Sequence, residues 1–263
     1  MSSRILDEIE KEAVSGQPDL PTLLRKCIAL GGQTGSTDLR DWATKELKGY
    51  GSDDELPSYR TVPAILAIDG WTMTHRVTGQ QISPANLPEP ARELIKEEVA
   101  LRGPIAELTD LVAERRRAGA VSVDLGIPGG ASLAVLVNSD IRAGGDSYRT
   151  VERVYRRVAI TAIVGVIDTV HTNLVELVAE MRAGLGKGSD LPDKDLADRA
   201  VNIVINGDRN RVEVANAVAD TGGIASVASA AQESKSRRIM FWVAGGATVI
   251  AAIIGLLEWH PWH

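Results

Sequence analysis

Residues that could act as acids, bases or metal ligands are scattered along this sequence. The four histidines form no metal-ligand pattern; they are His75, His171, His260 and His263. His171 lies on a strongly predicted helix, three residues after Asp168, and we interpret it as a half-buried structural side chain. The carboxylates at residues 97–98 and 53–55 are adjacent along the chain, so they do not face each other across a site. These spacings predict neither a metal centre nor an acid–base pair.

The single cysteine gives little support for nucleophilic catalysis. Cys27 falls on the apolar face of a predicted helix, where a small buried thiol is expected. A pair with His75 as the base is conceivable, but the apolar position of the thiol argues against it. The sequence also lacks a G-x-x-x-x-G-K-[ST] loop and a G-x-G-x-x-G turn after a strand. We therefore predict a protein that is not an enzyme and needs no cofactor; a hydrolase or nuclease with an unrecognised site is the least supported alternative.

The charge balance argues against nucleic acid as a partner. The chain has a net charge of −6, whereas electrostatic binding to a phosphate backbone needs a basic surface. We interpret the basic run at residues 115–117 as the solvated end of a helix, where cations interact favourably with the helix dipole. A phosphate or lipid contact is the alternative for this run. One cysteine excludes an intramolecular disulfide and fits a reducing compartment.

The strongest single signal is an uncharged segment near the C-terminus. Residues 239–257 read IMFWVAGGATVIAAIIGLL, and a helix of this length extends about 28 Å, close to the hydrocarbon thickness of a bilayer. A buried helix of a soluble domain is the alternative, but it would normally carry a polar face. Tryptophans near both ends fit the headgroup level. The sequence therefore predicts one transmembrane anchor, whose end residues are Ile239, Trp242, Leu257 and Trp259.

The flanks of this segment predict its orientation. Three basic residues precede it, Lys235, Arg237 and Arg238, and Glu258 follows it. Because basic flanks stay on the cytoplasmic side, the N-terminal bulk of the chain is predicted to be cytoplasmic. Residues 258–263 would then cross to the other side, and membrane lipid would be a partner.

Small residues recur along one face of the predicted span. Ala247, Ala251 and Gly255 are four residues apart, the pattern that allows two membrane helices to approach closely. This pattern predicts a homo-oligomer that associates through its anchors. A lone apolar helix cannot line a hydrated pore, so any pore would need several copies.

The residues before the anchor predict an α+β fold, with helices around a small antiparallel sheet. Apolar residues at helical spacing predict helical segments at about residues 4–14, 21–30, 37–50, 87–117 and 161–185. Gly103-Pro104 is expected to kink or divide the segment at 87–117. Strands are predicted within 61–82, at 120–125 and at 151–160, while 131–138 is ambiguous. Glycines are expected to break the second helix at residue 31, and Asp69-Gly70 predicts a hairpin turn.

Four smaller parts are predicted to follow this helix-rich domain of residues 1–185: a linker at 186–200, a β-hairpin module at 201–216, a stalk at 217–238 and the transmembrane helix at 239–257. In the hairpin module, apolar and polar residues alternate on both sides of a turn. A lone hairpin is marginal in water, so its edges are predicted to pair between chains. The residues expected to form this contact are Ile203, Ile205, Asn206, Gly207, Val212 and Val214.

One stretch of the N-terminal half carries a recognisable pattern. It begins with a Leu-Leu-Arg-Lys helix at residues 23–26 and ends with the Pro-x-Tyr-Arg of residues 57–60; its hallmark positions are Trp42, Glu46, Leu47, Gly49, Tyr50, Pro57, Tyr59 and Arg60. Together with weaker similarity at 86–108 and 165–170, this pattern resembles the AbiTii family, named for a bacterial abortive-infection system. The resemblance covers about residues 3–185. The family pattern has arginine where this chain has His171.

The resemblance implies a role in phage resistance and a bacterial host, so the predicted anchor would lie in the inner membrane. It implies no molecular activity. From the residues alone, Trp42 and Leu47 are expected to be buried between helices, and Arg60 to pair with an acidic residue at 53–55. Tyr59 and Arg60 would then hold the acidic loop against the third helix, which is a structural role rather than a ligand-binding one.

These features lead to two hypotheses. In the first, a non-enzymatic effector of phage defence self-associates and perturbs the inner membrane through clustered anchors. In the second, the cytoplasmic domain is a tethered sensor or binding module for a phage or host protein, and the anchor only places it. Replacing the anchor with another apolar helix should weaken the first function and spare the second.

Overall fold

The computed structural model describes residues 3–15, 18–186 and 189–207. The second half of the predicted hairpin, the stalk, the basic flank and the anchor lie outside these residues. The described elements, in chain order, are α1 (Ser3–Ala13), α2 (Leu20–Thr34), α3 (Thr37–Lys48), β1 (Thr61–Pro63), β2 (Ile65–Trp71), β3 (Arg76–Ile82), α4 (Glu89–Arg92), β4 (Glu98–Ala100), α5 (Ile105–Arg117), β5 (Ser122–Gly126), α6 (Gly130–Ala143), β6 (Thr150–Ala159), α7 (Ile160–Gly184) and α8 (Lys194–Val204). Short 3-10 turns occupy Ser58–Arg60 and Pro84–Asn86. This is the α+β fold that the sequence predicts.

The described chain forms two compact units. The first comprises the residues up to Pro63, Glu98–Val123 and those from Val158 onward; the second comprises Ala64–Glu97 and Asp124–Arg157. The first unit holds most of the helices and the two-stranded antiparallel pair of β1 and β4. The second holds α4, α6 and most of a four-stranded sheet.

Helix α7 is the longest helix and lies in the core of the first unit, where it packs against α1, α5 and α8. Its buried side chains recur at helical spacing along one stripe; they are Ile160, Ile163, Val166, Val170, Asn173, Leu174, Leu177, Val178 and Met181. Among the described helices, α7 is also long and apolar enough to span a membrane. By length and composition alone this is weak evidence for a membrane span, since the core helix of a soluble protein meets the same criterion; 39 % of the apolar window of α7 is buried.

Helix α2 does not break at Gly31, as the sequence suggested, but continues to Thr34. The reason is the close approach of α3. A Cβ atom on Gly31 would lie 2.7 Å from Cγ of Arg40, so glycine is needed for packing between the two helices. The helix ends at Gly35, whose φ of 78° is the left-handed conformation that glycine adopts readily.

Helix α8 corrects the prediction for residues 186–205. The predicted linker contains the start of this helix, where Asp193 accepts a hydrogen bond from the Leu196 backbone N–H at 2.8 Å. The predicted first strand of the hairpin is the last turn of the same helix, and Ile203 is buried in it. Over only five residues, alternating apolar and polar side chains fit the end of a helix as well as a strand, because the apolar stripe of the helix begins upstream. Ile205 caps α8, and Gly207 follows with a φ of 74°.

The sheet of the second unit has the order β3-β2-β6-β5, and β2 pairs antiparallel with β3 and β6. The β2–β3 turn contains Thr72 and His75, whose backbones are joined by a 3.0 Å hydrogen bond. The predicted turn at Asp69-Gly70 is wrong, because both residues lie within β2 at a bulge. A Cβ on Gly70 would lie 2.1 Å from the carbonyl oxygen of Thr150, so the glycine permits close strand approach.

The core of the second unit lies between one sheet face and two helices, α4 and α6; its buried members are Leu66, Ile68, Leu87, Ala91, Ile95, Leu133, Ala134, Val137, Val151 and Val154. The ambiguous segment at 131–138 is therefore helical. The helical region predicted for 87–117 is divided before Pro104, one of the two possibilities expected at Gly103-Pro104, but its first part holds only the short α4 and a strand. Prolines at positions 88 and 104 immediately precede α4 and α5, and β4 lies between these two helices.

Candidate functional site

The hallmark residues of the first unit meet in one buried cluster around Glu46 of α3. Oε1 of Glu46 accepts hydrogen bonds from the hydroxyls of Tyr50, at 2.6 Å, and Tyr59, at 2.8 Å. Oε2 accepts from the guanidinium of Arg60. The indole N–H of Trp42 donates to the hydroxyl of Tyr59 at 3.1 Å. We call these five residues the Glu46 cluster.

Arg60 connects this cluster to the chain segment that leads into α5. Its side chain is completely buried, so its charge must be balanced where it lies. Besides Glu46, Nη1 donates to the carbonyls of Leu101, at 3.0 Å, and Gly103, at 2.8 Å. The guanidinium also lies over the ring of Tyr50, 5.3 Å from its centroid. Nε has no hydrogen-bond partner among the described residues.

The ion pair predicted between Arg60 and the acidic loop is wrong. The 3-10 turn directs Arg60 inward to Glu46, and two other cations hold the loop. Lys45 pairs with Asp54 at 2.8 Å, and Arg102 donates to the carbonyls of Gly51 and Asp54. The loop carboxylates thus keep contact with solvent, which costs less desolvation than burying them would.

The two phenols of the cluster are held in their protonated form. Burial, followed by the neighbouring Glu46 carboxylate, raises the pKa of both Tyr50 and Tyr59 well above the ordinary range. Both hydroxyls therefore donate to Glu46 at any physiological pH. The two hydrogen bonds fix the carboxylate in one position. Neither tyrosine hydroxyl loses its proton near neutral pH.

Gly49 allows the chain to turn from α3 into this cluster. Its φ of 92° and ψ of 168° form a conformation that is essentially restricted to glycine. A Cβ there would lie 2.9 Å from the carbonyl oxygen of Arg102. The same carbonyl accepts the backbone N–H of Tyr50 at 2.8 Å. Trp42 is buried, as expected, whereas Leu47 and Pro57 are half-buried.

A pocket of about 630 Å³ opens beside the Glu46 cluster. Trp42 and Tyr50 line it, together with the end of α8; the other lining residues are Asp38, Asp41, Lys45, Glu55, Leu56, Pro57, Ser58, Val201, Ile205 and Asn206. Three carboxylates accompany one lysine, and that lysine already pairs with Asp54. The charged part of the lining is therefore predominantly acidic, and it lies beside uncharged polar and apolar side chains. This combination suits a segment that carries apolar and cationic side chains.

A second polar network lies in the second unit, and the sequence analysis missed it. The hydroxyl of Tyr155, on β6, donates to Oδ1 of Asp69 at 2.9 Å, and the backbone N–H of Gly79 donates to the same atom at 2.8 Å. Arg157 donates to Asp124 at 2.8 Å and to the Tyr155 hydroxyl at 3.1 Å. Together these bonds connect all four strands of the sheet.

Each charge in this network is balanced. Burial disfavours ionisation of Asp69, but the hydrogen bonds from Gly79 and Tyr155 outweigh it, so the pKa of Asp69 is lowered. Burial, followed by the bond to Asp69, raises the pKa of Tyr155 to about 12. Arg153 lies over the Tyr155 ring at 4.1 Å. The sequence did carry a signal for this network: Arg153, Tyr155 and Arg157 alternate along β6, so their side chains lie on the same face of the sheet.

The remaining candidates from the sequence have structural positions. Burial raises the pKa of the Cys27 thiol to about 12, so the reactive thiolate does not form near neutral pH. Nε2 of His171 lies 2.6 Å from the carbonyl oxygen of Ala13 and joins α7 to α1. His75 lies in the exposed β2–β3 turn rather than in a strand. Among the described residues, no group of three or more His, Cys, Asp or Glu side chains could hold a metal ion.

Comparison with known proteins identifies the family. The AbiTii family model matches residues 4–206, well over half of the chain. This chain belongs to the AbiTii family. The match includes the whole Glu46 cluster and extends past residue 185 to the end of α8. No curated protein and no solved structure matches the chain. Membership in the AbiTii family indicates a role in abortive-infection defence.

Proposed function

We propose that this AbiTii protein is a non-enzymatic effector of abortive infection that is anchored in the bacterial inner membrane, self-associates and perturbs that membrane. The observation that carries the proposal is the uncharged run at residues 239–257, with basic residues on its N-terminal side only. A run of this length can cross the hydrocarbon core, and its flanks keep the two compact units in the cytoplasm.

The anchor also provides the means of self-association. Ala247, Ala251 and Gly255 form a narrow face along which two copies of the helix could pack closely. The predicted β-hairpin does not support association, because its first strand is the last turn of α8. Several anchors packed along this face would disturb lipid order or line a pore together, which a single apolar helix cannot do.

The pocket beside the Glu46 cluster supports the second function, a membrane-tethered sensor or binding module. Val201, in the last turn of α8, and Ile205, which caps it, line the pocket, and the predicted anchor follows them along the chain. A phage or host protein that inserted apolar and cationic side chains there would contact the end of α8 directly. The two functions are compatible, because the pocket could receive the trigger to which the anchors respond.

Dye entry during phage infection separates the two functions. The test variant replaces Ala247, Ala251 and Gly255 with leucine, which keeps the anchor apolar but prevents close approach. The matched control replaces Val249 and Ile253 with leucine on the opposite face of the same helix. We expect cells carrying the native chain or the control to admit a small dye before lysis and to resist phage. Cells carrying the test variant should lose both effects.

Two outcomes would contradict the membrane-effector proposal. Protection without dye entry in cells carrying the native chain would show that the membrane stays intact. Protection that survives the leucine variant would show that the anchor only tethers the chain. Either result would favour the tethered binding module.

A further inference from the structure

Three large apolar or amphipathic side chains are exposed at one end of the second unit's sheet. Trp71 is 47 % exposed, Met73 68 % and Tyr148 65 %. Trp71 ends β2, Met73 lies in the β2–β3 turn, and Tyr148 precedes by two residues Thr150, the strand partner of Trp71. We call residues 71–76 and 146–152 the aromatic tip.

The tip differs from the other exposed apolar positions that the structure describes. Those are single aliphatic residues separated along the chain: Val14, Ile65, Leu94, Val121 and Val135. Isolated exposed aliphatic side chains are normal on a soluble surface, whereas grouped large ones mark an interaction. The aromatic tip is therefore the exposed apolar feature that needs an explanation.

The polar groups of the tip are already paired with one another. The indole N–H of Trp71 donates to Glu152 at 2.8 Å, and Arg76 pairs with the same carboxylate at 3.2 Å while lying over the indole ring. Arg149 pairs with Asp146 at 3.8 Å. Two cations and two anions leave no net charge for attraction to nucleic acid or to an oppositely charged protein surface.

We propose that the aromatic tip inserts at the headgroup level of the bilayer in which the chain is anchored. Tryptophan, tyrosine and arginine favour this level, because their apolar bodies reach toward the acyl chains while their polar ends stay hydrated. The proposal rests on the proposed anchoring. Tethering raises the local concentration of the tip at the bilayer, so a contact too small to recruit a free protein is sufficient. The tip is a second membrane contact, and it orients the second unit against the surface.

The experiment measures depth with a fluorophore on the full chain in phosphatidylcholine vesicles. An environment-sensitive dye is attached to Met73→Cys, and lipids spin-labelled near the headgroup or deep in the acyl region quench it. Native Cys27 is buried and does not compete for the label. Val14→Cys and Val121→Cys are the matched controls, because these valines are 69 % and 81 % exposed in the first unit. Ile253→Cys reports on the anchor, because residue 253 lies opposite the proposed packing face of that helix.

We expect the dye at position 73 to be quenched at least about twofold more by the shallow label than by the deep one, as for a group at the interface. Both valine controls should be quenched far less. Because the tip has no net charge, adding phosphatidylglycerol should leave the quenching unchanged.

Four results would overturn the inference in distinguishable ways. Quenching at position 253 without quenching at 73 would keep the anchor and exclude insertion of the tip. Equal quenching at 73, 14 and 121 would indicate general proximity to the surface. A dye at 73 that responds to protein density but not to spin-labelled lipid would indicate contact between copies of the chain. Loss of quenching at both 73 and 253 would contradict the anchoring itself.

Discussion

At the scale of single residues, the Glu46–Arg60 pair is the most consequential contact in the described chain. Both side chains are completely buried, so neither can recover its hydration if the other is removed. Tyr50 and Tyr59 fill the remaining positions on the carboxylate. The hallmark residues are therefore needed together, and their first role is to hold α3 and the segment before α5 in place.

Glu46→Gln should lower the free energy of unfolding by about 3–5 kcal/mol, because it leaves a buried guanidinium without a counter-charge. Chemical denaturation followed by circular dichroism measures this loss. Asp54→Asn is the matched control, since it removes the neighbouring, solvent-accessible pair with Lys45 and should have a much smaller effect. Equal losses for the two variants would contradict the importance of burial.

Gly49→Ala should destabilise the fold by about 1–3 kcal/mol, because the backbone at this position is restricted to glycine. Close approach of the Arg102 carbonyl adds to the cost. Gly32→Ala, inside α2 with open space around it, should instead stabilise the protein by about 0.5–1 kcal/mol. Thermal unfolding should show a lower melting temperature for Gly49→Ala and a higher one for Gly32→Ala. An unchanged melting temperature for Gly49→Ala would argue against the described turn.

At the scale of elements, α8 is the least expected part of the fold and borders the pocket. A part-buried hydrogen bond joins α8 to the start of α3: Asp198 accepts from the hydroxyl of Ser36, which also caps α3 by accepting from the backbone N–H of Leu39. Lys194 pairs with the same carboxylate at 2.5 Å. Burial disfavours ionisation of Asp198, but the bonds from Lys194 and Ser36 outweigh it, so its pKa is lowered.

This lowered pKa predicts how Asp198 contributes to stability as pH changes. A carboxyl whose pKa is lower in the folded state stabilises that state above its ordinary pKa, and the contribution is lost as pH falls through the folded value. Asp198→Asn should therefore lower the melting temperature at pH 7, and the difference from the native chain should shrink below about pH 4. Asp195→Asn, exposed on the same helix, is the control. A difference that persists at acid pH would exclude an ionic contribution.

At the scale of the whole molecule, the proposed arrangement has two compact units on one side of a membrane and a short tail on the other. The tail carries Trp262, and the exposed surface of the first unit carries Val121. The orientation of the chain in the membrane can therefore be tested with a reagent that does not cross the bilayer.

Trp262→Cys should react with a membrane-impermeant maleimide on intact spheroplasts, in which the periplasmic face of the inner membrane is accessible. Val121→Cys should react only after the membrane is opened, because the first unit is expected on the cytoplasmic side. Buried Cys27 provides the unreactive background. Reaction at 121 before opening would contradict the predicted orientation.

Local patterns sufficed for helices α2, α3 and α7. The long apolar stripes of α2, α3 and α7 have a period that fits only a helix, so their existence was evident from the residues. The hallmark positions were also visible in the sequence, but the partner of Arg60 was not, because Arg60 pairs with Glu46 rather than with the acidic loop. Shorter segments were not resolved in this way, because five alternating residues at the end of α8 fit a strand equally well.

Helices α2, α3 and α7, the family hallmark and the apolar run at 239–257 could be recognised from the residues, because each is a pattern among positions close along the chain. Which partner each buried charge meets depends instead on how the elements pack. Arg60 lies closer in sequence to the acidic loop than to Glu46, yet the 3-10 turn directs it to Glu46. Likewise, the pocket, the Asp69–Tyr155 network and the aromatic tip join residues far apart in sequence, and their contacts follow from packing and strand register, which no local pattern encodes.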